Sequence, residues 1–372
     1  MPDSRITLDP QLSVVVPLLN EAEGIEPLLR MLARQEGIAF EVILSDGGST
    51  DGTLFRATAL RESLPYELRL VTGEQGRGRQ LNRGAAAAKG EWLLFLHADS
   101  QFSDPRALRK GLSFISQAMK NNSHEWLAGR FALRFDTTGT TSRFGYSFCE
   151  GKARLDRSGC ILGDQGFLLT RHLFQSIPPF DEKLPVAEDL EFAERIRSCG
   201  EFLLLPAEIR TSSRRFRVEG YRARQTLNAL LMGLLHSTQR SFLTTLPEIY
   251  QSHDKSRPLD LEPFFREIAA LIATLPLRER LLFWYQIGAY VRANVWQLPF
   301  ALDVRRTLRQ GMGAGETESR WLGRYDRYLN RLTDHPPGKL LFAGVVHVWF
   351  FLARQWGWLR GGTGKNEKRA GA

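Results

Sequence analysis

Acidic and amide side chains recur where short apolar runs stop. Asn20 and Glu21 follow residues 12–16, Asp46, Ser49 and Asp51 follow residues 40–45, and Asp99 lies just past residues 91–97, which end in His97. Each motif alone is ordinary, since Asp46-Gly47-Gly48-Ser49 is turn chemistry and Asn20-Glu21 a usual helix start. Carried by consecutive strands of one sheet, they would line a single edge, and a shared ligand explains that economically. An acidic edge repels a bare phosphate. A diphosphate bound there calls for a cation, and Mg2+ or Mn2+ with oxygen ligands is the ordinary solution.

Other segments suit anions or the ends of helices. Residues 76–84 open a helix with Arg77, Arg79, Gln80, Asn82 and Arg83, and free N–H groups with the helix dipole favour an anion there. The pair Gly76 and Gly78 lacks the third glycine of a dinucleotide fingerprint and follows the third apolar run, which argues against a dehydrogenase. Glu188, Asp189 and Glu191 fall in a first helical turn, where carboxylates suit the dipole. Asp164 and Gln165 stand between Gly163 and Gly166, a spacing that by itself reads as a tight turn. Arg214 and Arg215 follow the last strand-like run, and arginine's fork of donors matches phosphate oxygens.

These residues meet only if a sheet aligns the strand ends. From residue 12 to about 205, β-branched or leucine-rich runs alternate with helical periodicity, the pattern of βαβ units. Strands are expected at 12–16, 40–45, 68–71, 91–97, 126–133 and 202–205, with helices at 25–32, 53–62, 80–89, 105–120 and from 188. Connections too long for hairpins favour parallel strands, and an open α/β sheet binds ligands beyond their carboxyl ends. Beyond Tyr221 the pattern turns to helices rich in Leu, aromatics and Arg, as over 271–296, broken by Pro247, Pro263, Pro276 and Pro299. The expected division is an α/β domain over 1–225 with a Rossmann-like, mostly parallel sheet, a helical region over 226–360 and a disordered basic tail over 361–372.

Apolar residues make up 43% of the chain, enough for a sizeable core. Its formal charge of +9 is uneven: residues 1–207 carry 24 basic and 27 acidic side chains, residues 208–372 carry 26 and 14. That excess suits anionic partners such as phospholipid head groups, or plain solubility. Trp284, Trp296, Trp349 and Trp356 beside Arg292 and Arg354 fit either peripheral contact with the inner face of a membrane or the core of a small helical domain. Nothing marks a nucleic-acid module. Cys149, Cys160 and Cys199 form neither a disulfide framework nor a zinc pattern, and a reducing cytoplasm is their natural setting. No signal-length run opens the chain. The most apolar run, 340–353, is broken by His347 and falls short of the roughly 20 residues that span a bilayer, so no transmembrane helix is expected.

Ser13 to Pro17, Asn20-Glu21, Asp46 to Thr53 and Leu96 to Asp99 occur in an order and spacing that resemble the family 2 glycosyltransferases of the GT-A fold, over roughly residues 10–225. The resemblance implies a GT-A fold with a C-terminal α-helical extension, and inverting transfer from a nucleotide-diphosphate sugar, UDP-sugar favoured, to an unknown acceptor. It assigns Pro17, Asn20, Glu21, Asp46, Ser49, Asp51, Arg79, Asn82, His97, Asp164, Gln165, Arg214 and Arg215 to the nucleotide sugar. Asp99 becomes the ligand of a divalent Mn2+ or Mg2+, and Asp189, beside Glu188, the base. Two departures matter. The family's Asp-x-Asp is here His97-Ala98-Asp99, and only the Arg of a Gln-x-x-Arg-Trp segment is kept at Thr211 to Phe216, which argues for single-sugar transfer. The run most resembles a bacterial subgroup associated with radical SAM proteins, from which the C-terminal region departs. A sugar-phosphate nucleotidyltransferase would need a glycine-rich basic loop where Pro17 to Glu21 stand. A non-catalytic membrane-surface protein that has kept the fold is the other alternative.

Overall fold

The computed structural model describes residues 9–122, 126–137, 143–251 and 257–366. The chain forms two compact units, one of residues 1–139 and 149–213, the other of residues 140–148 and 214–372, so the break follows Ser213 rather than residue 225.

The first unit contains β1 (Leu12–Leu18), α1 (Ile25–Leu32), β2 (Phe40–Asp46), α2 (Thr53–Leu60), β3 (Glu67–Thr72), α3 (Arg77–Ala87), β4 (Trp92–Phe95), α4 (Ala107–Asn122) and β5 (Leu127–Asp136). After α5 (Arg143–Lys152), which straddles the division, come β6 (Phe167–Thr170), α6 (Arg171–Ser176), α7 (Glu188–Cys199) and β7 (Glu201–Ser212). The seven strands form one sheet in the order β3-β2-β1-β4-β6-β5-β7. All neighbouring pairs are parallel except those made by β6, which runs against both β4 and β5.

Strand alternation divides the core into two layers. Val14, Val16 and Leu18 join Leu28, Leu32 and Ile115 on one face, while Val15 and Ile43 join Leu81, Leu173, Phe192 and Ile196 on the other. Helices α1 and α4 thus cover one side, and α3, α6 and α7 the other.

Register sets the functional edge. Leu18 lies opposite Asp46, and Asp46 opposite Thr72, so the first three strands end level. Antiparallel pairing puts Phe167 opposite Phe95, so the loop before β6 reaches the same edge as the loop after β4. The sequence pattern did not foresee β6. Its four residues are too few for a period to show, and β7 also runs longer than the expected 202–205, continuing through Pro206 to Ser212.

The second unit is helical among the described residues: α8 (Arg214–Glu219), α9 (Tyr221–Leu235), α10 (Leu246–Gln251), α11 (Glu262–Thr274), α12 (Leu277–Ala293), α13 (Gln297–Arg309), α14 (Arg320–Arg324), α15 (Asn330–Thr333) and α16 (Pro336–Asn366). Prolines open several of these helices, because a first turn needs no N–H donor there. Pro276 therefore splits 271–296 into α11 and α12. Two expectations change. Within α16, the 20 residues Pro336–Gln355 are long and apolar enough to cross a membrane by length and composition, because low-charge turns extend the 14-residue run at both ends. The same helix continues through residue 366 where a disordered tail was expected; residues 367–372 lie outside the described ones.

Candidate active site

Two loops build one half of the edge. Asn20, at a positive φ of 56°, accepts the Thr50 N–H on its side-chain oxygen at 2.8 Å, and its own N–H donates to Ser49 Oγ at 2.9 Å. Asp51 accepts the Ala22 and Thr53 N–H groups, each at 3.0 Å. Asp46, 1% exposed, receives the N–H groups of Gly48 and Ser49 at 2.8 and 3.0 Å. These polar groups tie the end of β1 to the end of β2. Pro17 is half-buried within β1, and the Glu21 N–H donates to Thr53 Oγ1 at 2.8 Å.

Helix α3 lies across this edge. Gln80, buried, donates to the carbonyls of Leu18 and Ser45 at 2.6 and 2.9 Å, and Arg83 reaches the Asp46 carbonyl at 2.9 Å. A Cβ on Gly84 would stand 2.4 Å from Val15 Cγ1, so only glycine lets the helix approach β1 this closely.

The first turn of α3 supplies the residue that motif matching passed over. The Arg77 guanidinium stands 2.8 Å from Glu188 Oε1 and 3.5 Å from Asp189 Oδ2, with His97 Nε2 at 2.9 Å. Glu188 is 1% exposed and the Asp189 side chain 14%. Ala187 begins α7 with a positive φ of 65°; it and Asn20 are the non-glycine residues in that region among the described ones, and both stand at this edge.

Asp189 also accepts the Gly163 and Leu190 N–H groups, each at 2.8 Å. A Cβ on Gly163 would meet Asp189 Oδ2 at 2.8 Å and His97 Nε2 at 3.0 Å, so the loop before β6 closes on both residues. Asp99 accepts Thr211 Oγ1 at 3.0 Å and the Ser212 N–H at 3.3 Å.

Charge follows this geometry. Burial pushes the Asp164 carboxyl up to about 7, with Asp189 and Asp99 adding to the rise and Arg77 opposing it. Burial raises Glu188 as well, against the pull of Arg77. At Asp189 burial is outweighed by Arg77, the Gly163 N–H, His97 and the Leu190 N–H, which hold it below the usual carboxylate value. The adjacent carboxylates are therefore unequal, with Asp189 ionised at neutral pH.

Arg77, His97, Asp99, Asp164, Glu188 and Asp189 thus converge, while other residues singled out in the sequence are placed otherwise. Gln165 is fully buried and donates to the Cys160 carbonyl at 2.8 Å, which takes its amide out of the edge. Asn82 bonds the backbone of Phe180 at both ends of its amide, and Arg79 pairs with Glu74 at 2.7 Å. Both lie off the helix face shared by Arg77, Gln80 and Gly84. Arg214 and Arg215 begin α8, in the second unit.

Among the described residues no three His, Cys, Asp or Glu side chains cluster tightly enough to hold a metal by themselves. The donor set fits a cation held jointly by Asp99 and a ligand's phosphates, the usual habit of Mg2+, better than a resident protein-held ion.

Residues 13–157 match the family model described as Glycosyl transferase family 2. A PGL/p-HBAD biosynthesis glycosyltransferase of Mycobacterium bovis (strain BCG / Pasteur 1173P2) is 32% identical over 184 residues, which are 49% of this chain and 68% of the relative. Two solved structures show a looser likeness. The mannosyltransferase PcManGT of Pyrobaculum calidifontis, in complex with GDP-Man and Mn2+, has a TM-score of 0.47 at 20% identity, covering 92% of this chain and 88% of that one. TarS 1-349 of S. aureus, in complex with UDP, has a TM-score of 0.46 at 18% identity, covering 81% and 92%. With the family model seated on β1 to α5 and two thirds of a relative matched, the chain belongs to glycosyl transferase family 2 and is a glycosyltransferase.

Proposed function

We propose that the protein transfers one sugar from a nucleotide-diphosphate sugar to an acceptor hydroxyl with inversion, using Asp189 as the base, and that UDP-sugars are the first donors to test. The observation that carries this is the inequality of Glu188 and Asp189 around Arg77. A base must be ionised and reachable, and Asp189 is held ionised while 14% of its side chain stays open. Asp189 takes the hydroxyl proton as the acceptor oxygen bonds to the anomeric carbon. The bond from that carbon to the diphosphate breaks on the opposite face, and the nucleoside diphosphate leaves with the electron pair. One displacement inverts the centre.

A divalent cation, Mn2+ or Mg2+, when bound at Asp99, would neutralise charge on the diphosphate. Arg77 keeps Asp189 charged before the acceptor arrives, and the loops of Asn20, Asp46, Ser49 and Asp51 form the wall for the nucleotide. Within the family, the His97 to Asp99 form and the paired Arg214 and Arg215 support the reading that the protein resembles the radical SAM-associated transferases.

The test is release of nucleoside diphosphate from a panel of nucleotide sugars with Mn2+ or Mg2+. The wild type releases it slowly with water as acceptor, and Asp99→Asn loses both the activity and its metal dependence. A panel that yields neither binding nor release would contradict the proposal.

A further inference from the structure

We propose that the helical second unit docks on an anionic lipid bilayer, lying in its interface with arginines of α13 at the lipid phosphates and the apolar face of α16 among the acyl chains. The proposal stands apart from the chemistry above.

Helix α13 presents Leu298, Leu302, Arg305 and Arg309 at i, i+4, i+7 and i+11, all exposed. An open groove of about 330 Å³ is lined by Leu302, Arg305, Arg306, Arg309 and Trp321. Its shape is fixed from below. Asp303, 1% exposed, accepts the N–H groups of Trp321 and Leu322 at 2.8 and 2.9 Å, which caps α14 and holds Trp321 beside the arginines. Among the described residues no carboxylate pairs with Arg305, Arg306 or Arg309, and Arg305 instead lies over the Phe144 ring at 5.5 Å. Guanidinium groups gathered without counter-charge repel one another until an anion arrives, and their forks match phosphate oxygens.

A lipid suits this groove better than a free anion. Leu298 and Leu302, 70% and 48% exposed, continue the arginine face, where they would serve a hydrocarbon chain and do nothing for phosphate. Tryptophan favours the headgroup level of a bilayer. The charge of the chain agrees, since residues 208–372 carry 26 basic and 14 acidic side chains.

Helix α16 supplies an independent observation. Between Lys339 and Arg354 it has no Asp, Glu, Lys or Arg, yet within that stretch only Ala343 and Phe350 are buried. Leu341, Val345, Val348 and Leu352, at i, i+4, i+7 and i+11, are 55–66% exposed. Its length would allow a span, but its partner does not. Gly288 of α12 meets Ala343, and Trp284 meets His347 and Phe350, so α12 runs antiparallel along α16. Crossing together would carry Arg278, Glu279, Arg280 and Arg292 of α12 into hydrocarbon. Lying in the interface leaves those charges at the wet side.

The test is co-sedimentation of the full chain with vesicles of phosphatidylcholine alone or with phosphatidylglycerol added. The expected result is binding to the anionic vesicles, weakened by salt. Arg305→Glu/Arg309→Glu should cut it about tenfold or more, as the loss of two basic groups at a charged surface implies. Arg305→Lys/Arg309→Lys should keep it, and Leu341→Ser/Val345→Ser should reduce it, all with unchanged melting temperature. Absent vesicle binding overturns the proposal, as does binding indifferent to both kinds of variant. Inorganic phosphate bound through Arg305 and Arg309 without vesicle binding would assign the groove to a free anion. A dimer broken by Leu341→Ser/Val345→Ser, with vesicles unbound, would assign the α16 face to a second copy.

Discussion

Neighbouring carboxylates in a buried site cannot both ionise cheaply, and Arg77 resolves the conflict for Glu188 and Asp189 by pairing with both. Among the described residues no cation forms an ion pair with Asp164, and burial pushes its carboxyl up to about 7. This has a consequence for stability. A carboxyl raised from its ordinary 3.8 to about 7 binds a proton more tightly in the folded chain, so its contribution is complete below pH 4 and is lost as pH rises through 7. Asp164→Asn should therefore raise the melting temperature by a few degrees at pH 8 and leave it nearly unchanged at pH 4. Equal shifts at both values, in scans of the two proteins, would show that Asp164 is not buried as a neutral acid. The sequence made the Glu188-Asp189 pair and Asp99 legible because they follow strand ends or open a helix. It gave no sign of the charge order among them, which depends on burial and on an arginine more than a hundred residues upstream.

Among the elements, α3 decides how the site is assembled. One face carries Arg77 to the carboxylates, Gln80 to two strand carbonyls and Gly84 against Val15. Gly84→Ala would place a Cβ 2.4 Å from Val15 Cγ1 and force the helix outward, so a loss of about 1–3 kcal/mol is expected from overpacking. Chemical denaturation measures that loss, and the nucleoside diphosphate release rate should fall with it because Arg77 and Arg83 move with the helix. The family resemblance singled out Arg79 and Asn82, and helical phase sets them on another face of α3, where they pair with Glu74 and with the backbone of Phe180. A motif names residue types, whereas the face is set by which small residue must touch the sheet. The parallel strands were legible from their unbroken apolar runs, and β6 was not. Yet β6, by running against β4, delivers Gly163 and Asp164 to the edge.

Across the whole molecule, charge is distributed unevenly between the two units. The α/β unit gathers acidic groups at one sheet edge, and the basic excess lies in the helical unit. Composition shows that uneven charge, but it could not say that α16 buries so narrow a stripe, because burial is a property of what packs against a helix. The proposed transfer turns on Asp189 as the base. The direct measurement follows the rate of nucleoside diphosphate release and the donor-induced rise in melting temperature together, in wild type and Asp189→Asn, with the same nucleotide sugar and metal. The rate should fall by about 10²–10⁴-fold, the usual worth of a positioned general base, while the donor still stabilises the variant. A variant that binds the donor and turns it over at the wild-type rate would contradict that role.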